Sequence, residues 1–537
     1  MIRHLALSFL VAMAAGASLV AQANTISGLD GHLAAIDSLT YFGRRGSHPN
    51  GEVGMAMQTT VCNSGSVNID WFAAMQPNHP KFAFLVARVA NDRIEQISDR
   101  RTFCKHVFQA SFANGTCGTC QNPGSTTLLG VNCSDTYGQA INADRYWLAP
   151  AAEIDPWLGT WNPIGSYFDV GDPLQVGYPL AADGVRSLVI SSFDSVKNRI
   201  TVDEQDLLIT GASYYYGMQL VIGGEALANR GDNMAHRGFL PAWNGASWSI
   251  SDSSVGQQHG SILGRWPGAS VHSGTNGADD GRIFVASKVT ALGGGAYHYE
   301  YAVHNVDSSR GVSAFRVPID ASATASNFTF GDVDNDPAND WSAARVGNFV
   351  VFSVSSMAMT NTLEWNTIFN FGFDADFAPG AAMCELDAAR IGPGALWTSV
   401  QAEVPSITTI ASFAKFGQGC PISQQIAVPT CAQQNPAGGT LAGTTSPEQH
   451  VYRVGLGSAA QYTLTGFEIW TRAPAGQANV NAYVFAVSGT QPAVAPIAST
   501  TVTVGSTPGF YSATFNPPVT VGSTCFIGFD TDALVVE

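Results

Sequence analysis

Four aspartates within nine residues carry the clearest chemistry in this sequence. Carboxylates at relative positions 1, 3, 5 and 9 can fold back around a hard cation, which prefers about six to eight oxygen ligands. The run departs from an EF-hand, because Pro337 replaces the turn glycine and Ala343 the bidentate glutamate. The pattern predicts bound calcium, and the alternative is an ordinary acidic turn. The four residues are Asp332, Asp334, Asp336 and Asp340.

A second group could perform acid–base catalysis. His79, His106 and Asp135, with Lys105 and Tyr137 close in sequence, offer a general acid and a general base. Structural histidines are the alternative, because nothing in the sequence shows that these groups converge. The sequence has no GxSxG elbow, HExxH helix or Walker A loop.

A third candidate lies on one face of a predicted strand, which His298, Glu300 and His304 share. The two histidines are about 20 Å apart on a regular strand, too far for one metal ion. His298 and Glu300 could supply two ligands if other segments completed the site. The alternative is a plain polar strand face.

Aromatic residues near the C-terminus predict a sugar-binding surface. Trp470 and Tyr511 could stack on the apolar faces of sugar rings while nearby asparagines bond the hydroxyls. The alternative is that these aromatics pack in a core.

Nine cysteines favour structural disulfides. Five of them lie before residue 140, so one early thiol is left over. Cys117 and Cys120 have metal or redox spacing, but no second CxxC accompanies them. Two later pairs could close loops: Cys384 with Cys420, and Cys431 with Cys525.

The charge balance is strongly acidic, with a formal net charge of −16 and only 25 basic residues. No basic run is long enough to follow a phosphate backbone, which excludes nucleic acid as a partner. Acidity favours solubility and cation binding over anionic membranes. No apolar stretch of membrane length follows residue 23.

The first 23 residues predict a signal peptide. Arg3 precedes a short apolar stretch, and Ala21-Gln22-Ala23 is a cleavage site, so we expect a secreted, extracellular or cell-surface protein.

Composition predicts a mainly β, multidomain protein. Glycine is abundant, charged residues make up only 12%, and short aromatic runs separate turn residues. We expect antiparallel β-sandwich or jelly-roll domains after a loop-rich, disulfide-containing N-terminal region. The expected parts are a cysteine-containing domain over 24–185, a β-sandwich over 186–425, a linker over 426–448 and a C-terminal β-sandwich over 449–537.

Several strands are specific enough to predict individually. Residues 186–193 and 282–288 have strand composition, and three glycines at 293–295 predict a hairpin turn. Alternation predicts two apolar faces suited to a sandwich. One face holds Tyr297, Tyr299, Tyr301 and Val303, and the other Trp365, Phe369, Phe371 and Phe373.

Some segments carry a resemblance to large exported proteins of planctomycete-type bacteria. They are Lys105-His106, Cys117-Gly-Thr-Cys120, Cys133-Ser-Asp-Thr-Tyr137, Tyr297-His-Tyr-Glu-Tyr301 and Trp365-Asn-Thr-Ile-Phe-Asn-Phe371. The resemblance implies an extracellular bacterial protein and assigns no functional residue.

These features together predict a protein that binds extracellular polysaccharide or another cell-surface polymer. The alternatives are a secreted hydrolase or metal-dependent enzyme with its site in the N-terminal region, and a structural envelope protein.

Overall fold

The computed structural model is mainly β, with antiparallel sheets stacked in pairs, as the composition predicts. It describes residues 26–536 except for 73–74, 100–102, 108–112, 114–115, 191–193, 277–280, 335, 355–360, 393, 406–409, 412–413, 417–448, 456–460, 474–475, 489–490, 494, 507–508, 523 and 531–534. The predicted signal peptide and linker lie outside these residues.

The first sandwich packs two sheets against each other. In sheet A, Glu52–Asn63 pairs with Gly31–Arg45 on one edge and with Ser134–Tyr137 and Ile200–Asp203 on the other. The order of sheet B is Trp248–Asp252, Met234–Trp243, Ser213–Val221, Lys81–Ala90, Cys104–His106 and Leu148–Ala149. Two further strands extend it: Gln258–His259 beside Met234–Trp243, and Arg93–Gln96 beside Lys81–Ala90.

The second sandwich also has two sheets, each of five strands. The order of sheet C is Ser270–Gly274, Ile283–Gly293, Ala296–Asn305, Thr367–Ala375 and Ala325–Gly331. The order of sheet D is Ser342–Val346, Phe349–Ser353, Val312–Pro318, Pro379–Ala388 and Trp397–Pro405.

The third sandwich contains the C-terminal strands. In sheet E, Gln461–Arg472 pairs with Gly509–Gly522 and Val535–Val536, and in parallel with Ile410–Ala411 and Ala414–Phe416. The order of sheet F is Gln449–Gly455, Thr524–Asp530, Ala478–Phe485 and Ala498–Val504.

Helices are short throughout the described residues, and none is long and apolar enough to span a membrane. The α-helices are Gln139–Asn142 and Tyr167–Val170. The 3-10 helices are Arg145–Trp147, Ala151–Glu153, Glu204–Leu208, Leu227–Asn229 and Ile262–Arg265. Three small pairs complete the fold: Ile69–Asp70 with Leu128–Leu129, Ile154–Asp155 with Thr160–Trp161, and Val487–Ser488 with Gln491–Pro492.

Sheet B is covered on both faces, which explains the nearly continuous apolar run of its strand Lys81–Ala90. Phe82, Phe84 and Val86 point into the core shared with sheet A. Leu85 and Ala87 point the other way, into a core shared with Ala302 and Ile368 of sheet C. The first two sandwiches therefore pack on each other as four layers.

The core of the second sandwich confirms the predicted aromatic faces. Tyr299, Tyr301 and Val303 face sheet D together with Phe369, Phe371 and Phe373, all fully buried. The partly buried Tyr297 packs against the same core. Trp365 is an exception, because it lies before the strand and packs in a separate cluster with Phe168 and Tyr167.

Two predicted local structures had different outcomes. The glycine hairpin is confirmed, because Gly293, Gly294 and Gly295 all have positive φ between two paired strands. The strand predicted over 186–193 is wrong for residues 186–190, which form a loop. The N–H groups of Ser187 and Leu188 donate to the carbonyl of Phe168 instead of to a neighbouring strand.

The early cysteines form structural disulfides, as predicted. Cys62 pairs with Cys117, and Cys120 pairs with Cys133. The CxxC residues thus belong to two different disulfides, which is incompatible with a metal or redox site. The thiol left over is the buried Cys104.

The later cysteines are only partly described. Cys384 and Cys525 are buried thiols without a disulfide partner in the described part of the chain. Their expected partners, Cys420 and Cys431, lie outside it.

The strands of one sandwich come from more than one of the domain ranges expected from the composition. Ile200–Asp203 and Ser213–Val221 complete the first sandwich, although both follow residue 185. Ile410–Ala411 and Ala414–Phe416 pair with the C-terminal sandwich. Such pairing joins segments that are far apart in sequence, and local composition does not predict it.

Candidate functional site

The two histidines proposed for catalysis meet beside sheet B, next to the cluster that contains Trp161 and Phe168. His79 Nε2 lies 2.7 Å from His106 Nδ1, and Trp161 packs edge-on against both rings. His79 Nδ1 lies within hydrogen-bonding distance of the Gln76 carbonyl, which only accepts, so this nitrogen carries the proton. His79 Nε2 then accepts from His106 Nδ1, and both rings are neutral.

Burial prevents this pair from exchanging protons near neutral pH. It lowers the pKa of His79 to about 3, and the pKa of His106 falls well below its usual value for the same reason. His106 is fully buried, and its Nε2 has no hydrogen-bond partner among the described residues. A general acid or base needs a pKa near the working pH, so the geometry fits a structural pair.

Two buried lysines flank the histidines. Lys81 Nζ donates to the Gly159 carbonyl at 2.8 Å, and Lys105 Nζ donates to the Ile141 carbonyl at 2.6 Å. Burial lowers the pKa of Lys81 to about 7 and that of Lys105 to about 8. Burial also raises the pKa of the Cys104 thiol, which keeps it protonated.

Asp135, the third catalytic candidate, lies in sheet A, whereas His106 lies in sheet B. The Trp71 indole N–H and the Tyr137 hydroxyl donate to its Oδ2 at 3.1 and 2.8 Å. These contacts tie Asp135 into the core. His79 reaches a cavity of about 420 Å³ that Asp70 and Thr160 also line.

His298 and His304 have separate partners, as their spacing predicts. His298 contacts Asp374 at 2.7 Å through Nδ1 and Glu300 at 3.2 Å through Nε2. His304 Nδ1 lies 2.9 Å from the Ser261 hydroxyl. Hydrogen bonding to Glu300, and then to Asp374, raises the pKa of His298. This arrangement is an ion-pair group on the strand.

The aspartate run forms successive turns after strand Ala325–Gly331. Asp332 accepts from the backbone N–H of Asp334, and Asp334 accepts from that of Asp336, each at 2.9 Å. Asp336 accepts from the N–H of Ala338 in the same way. Burial, then Asp334 and Asp336, raise the pKa of Asp340. The described residues contain no group of three or more His, Cys, Asp or Glu side chains arranged to hold a metal ion.

The run borders an acidic cleft that the sequence did not predict. Asp332 and Asp334 face the first sandwich across a cavity of about 370 Å³. Burial raises the pKa of Asp203 in its wall, and the neighbouring carboxylates of Glu52 and Asp99 raise it further. The other charged lining residues are Arg88, Glu95 and Asp206.

The C-terminal aromatics lie on adjacent strands, with Trp470 paired to Phe510 and Tyr511 to Ile469. The side chain of Trp470 lies outside the described part of the structure. Tyr511 packs against the core of the third sandwich, and its hydroxyl lies beside Gly505. Tyr511 therefore fits core packing better than a sugar-stacking platform.

An open groove on the first sandwich combines aromatic and cationic side chains. It has a volume of about 800 Å³, within the range of about 300–1,000 Å³ typical of ligand sites. Tyr146 is 49% exposed and Val189 63% exposed. The lining residues are Phe42, Ala140, Ile141, Ala143, Asp144, Arg145, Tyr146, Arg186, Leu188, Val189, Ile190 and Arg199.

Backbone carbonyls hold the groove arginines in place. Arg186 donates to the Tyr146 carbonyl at 2.9 Å, and its guanidinium carbon lies 3.3 Å from the centroid of the Tyr146 ring. Arg199 donates to the Ser195 carbonyl at 2.9 Å and lies over the Phe42 ring at 4.6 Å. Burial, followed by the nearby Arg145, lowers the pKa of Arg199 to about 10, so it stays charged at neutral pH.

The local sequence explains how the groove forms. The Asp144 side chain accepts from the Tyr146 N–H at 3.1 Å and caps the 3-10 helix Arg145–Trp147. The cap orients Tyr146 outward, where the loop of residues 186–190 meets it. Arg145 donates to the Lys197 carbonyl at 2.7 Å and anchors the loop that carries Arg199.

Comparison with known proteins gives no independent indication of what the groove binds. No protein-family model matches the chain, and no curated protein matches it. Among solved structures, the full-length RrgB pilus protein from Streptococcus pneumoniae is 9% identical, with a TM-score of 0.16. The match covers 64% of this chain and 47% of that protein, so the chain spans less than half of its length. A similarity this low carries no argument about function.

Proposed function

We propose that the protein is secreted or surface-associated and binds an extracellular polysaccharide that carries carboxylate groups. The observation that best supports this proposal concerns the arginines of the groove. The guanidinium groups of Arg186 and Arg199 donate to backbone carbonyls rather than to carboxylates. The nearby carboxylates of Asp144 and Asp194 offset part of their positive charge, and the rest is left to act on a ligand.

The mixture of side chains in the groove suits a sugar polymer. Tyr146 and Phe42 supply aromatic surface for the apolar faces of sugar rings, and the guanidinium groups supply planar donors for carboxylates. Asp144 also lines the groove and disfavours densely charged polymers. Uronic acids, with one carboxylate per ring, meet these requirements best.

The disulfides support a place of action outside the cytoplasm, because such bonds persist in oxidising compartments. An enzymatic role in the N-terminal region has less support, since the histidine pair is buried and neutral. A structural envelope role is the remaining alternative, and it predicts no defined sugar ligand.

Calcium binding by Asp332, Asp334, Asp336 and Asp340 stays a separate proposal. What favours it is the acidic cleft, where further carboxylates face Asp332 and Asp334. Burial raises the pKa of Asp203 and Asp340, and a cation would relieve the carboxylate repulsion that raises it further.

Retention of the full chain on a polysaccharide panel tests the sugar-binding proposal. We expect binding to polygalacturonate or alginate, and weaker binding to neutral xylan or cellulose. Tyr146→Ala and Arg199→Gln should each reduce retention. The exposed Trp397, outside the groove, provides the control Trp397→Ala.

Two other outcomes would contradict the groove assignment. Retention that survives both groove substitutions but is lost in Trp470→Ala would place the site in the third sandwich. The absence of retention on every polymer would instead favour the structural alternative.

A further inference from the structure

A group of buried oxygen atoms without hydrogen-bond donors lies where sheet A begins. Asp30 is fully buried, and neither of its carboxylate oxygens has a hydrogen-bond partner among the described residues. Asp232 Oδ1 and Asn233 Oδ1 share this property. Buried acceptors normally have a partner, so three residues with unsatisfied oxygens in one place require an explanation.

The neighbouring contacts show that the residues carrying these oxygens lie close together, and the charge of Asp232 acts on Asp30. Gly31, next to Asp30, donates its N–H to Glu225 Oε1 at 2.7 Å, and the Asn233 side-chain amide donates to Glu225 Oε2. The Leu33 N–H donates to the Asp232 carbonyl at 3.1 Å. Residues 30–33 and 225–233 therefore lie side by side.

Hydrogen bonds also determine which oxygens are left over. Because Asn233 Nδ2 donates to Glu225, its Oδ1 must be the free acceptor. His32 Nδ1 contacts Asp232 Oδ2 at 2.8 Å, which leaves Asp232 Oδ1 unpaired. Glu225 already accepts on both oxygens, so it orients the group rather than adding a free ligand.

The nearby arginines do not neutralise Asp30. Arg230 directs its guanidinium to the carbonyls of Glu225 and Trp157, at 3.0 and 2.6 Å. Arg282 pairs with Asp307 at 2.8 Å. Arg230 is only 6% exposed, so its guanidinium is held inside the protein.

We propose that Asp30, Asp232 and Asn233 bind one calcium ion through these four oxygen atoms. Calcium prefers carboxylate and amide oxygens, and it accepts backbone carbonyls or water in its remaining positions. Two carboxylates and an amide form the set, so the site does not depend on three clustered acidic or histidine ligands. This inference is independent of the sugar-binding groove and of the aspartate run at 332–340.

A proton on Asp30 is the competing explanation. Burial, and then the charge of Asp232, raise the pKa of Asp30 to about 6, while His32 lowers it. Under this explanation a proton shared with Asp232 or Asn233 would satisfy part of the group, and the site would have no affinity for calcium at neutral pH.

Calcium titration of the chelator-treated full chain by calorimetry at pH 7.5 separates the two. We expect Asp30→Asn to lose one equivalent of bound calcium, or to weaken it by at least about 100-fold. Glu225→Gln should weaken it about 10- to 100-fold, as is typical for residues that orient metal ligands. The control is Asp37→Asn, because Asp37 lies in the strand that follows Asp30 and pairs with Arg237, so this change should leave the binding unchanged.

A second variant keeps the test informative if Asp30→Asn does not fold. Asp232→Asn alters a side chain that is 29% exposed and should weaken the same equivalent. Asp334→Asn should leave that equivalent unchanged, which separates it from the aspartate run. Unchanged stoichiometry and affinity in Asp30→Asn and Asp232→Asn, or no calcium bound by the wild type at millimolar concentration, would overturn the proposal.

Discussion

Replacing the buried Lys81 by methionine should remove a pH-dependent destabilisation of the first sandwich. Burial lowers the pKa of Lys81 from 10.5 to about 7. Between these values the unfolded chain binds a proton that the folded chain does not, so the wild type gains stability as pH rises. Each pKa unit is worth about 1.36 kcal/mol. From about pH 6.5 to about pH 10 the gain from Lys81 is about 4 kcal/mol.

Lys81→Met lacks this gain, although it also leaves the Gly159 and Pro77 carbonyls without their donor. That loss costs about 1–3 kcal/mol for each carbonyl and does not depend on pH. Relative to the wild type, the variant is therefore most favoured near pH 6.5 and least favoured near pH 10. Lys105 is unchanged in both proteins, so its own titration cancels in the difference.

The assay is urea unfolding followed by tryptophan fluorescence at several pH values, expressed as variant minus wild type. The control is Lys288→Met, because Lys288 pairs with Asp92 at the surface. It should not reproduce the loss of relative stability that Lys81→Met shows towards high pH. Parallel curves for Lys81→Met and the wild type across this range would refute the reasoning.

Four further outcomes are expected. Phe371→Ala should cost about 3–5 kcal/mol in urea unfolding, because the fully buried ring packs among Phe315, Phe352 and Trp341; an effect no larger than that of Trp397→Ala would contradict this. Replacing Cys62 and Cys117 together by serine should lower the free energy of unfolding by about 4 kcal/mol, because the disulfide closes a loop with a sequence separation of 55. An unchanged denaturation midpoint would contradict this prediction. The hydrogen bonds that raise the pKa of His298 stabilise the fold below pH ~6.5, and this stabilisation is lost as pH rises through the pKa of the folded state. His298→Asn should therefore flatten that part of the curve of unfolding free energy against pH. EDTA should lower the Tm of the wild type, and it should lower the Tm of Asp334→Ala by less, because the variant lacks the calcium bound by the aspartate run. Equal decreases in Tm for the two proteins would show that the run binds no calcium.

The strand faces were predictable because alternation is a local property. The tyrosines from Tyr297 to Tyr301 and the phenylalanines from Phe369 to Phe373 pack as their period of two requires. The early disulfides were predictable in kind but not in pairing, since Cys117 and Cys120 join different partners. Pairing depends on how distant strands meet.

The candidate sites were less predictable, because burial and convergence arise from long-range packing. Residue type singled out His79 and His106, and the chain brings them together, but at a depth that keeps them neutral. The groove joins Phe42 from a strand, Tyr146 from a 3-10 helix and Arg199 from a loop, and no local pattern marks it. Asp30 gave no signal either, because its lack of a donor is visible only in three dimensions.

The affinity of the full chain for a soluble oligogalacturonide tests the central proposal most directly. A hydrogen bond to a charged group is worth about 1.5–3 kcal/mol, so Arg199→Gln should raise Kd about 10- to 100-fold. Arg345→Gln is the matched control, because Arg345 also donates to backbone carbonyls but lies in the second sandwich. Its Kd should equal that of the wild type. Equal Kd values for Arg199→Gln and the wild type would contradict the proposed role of the groove.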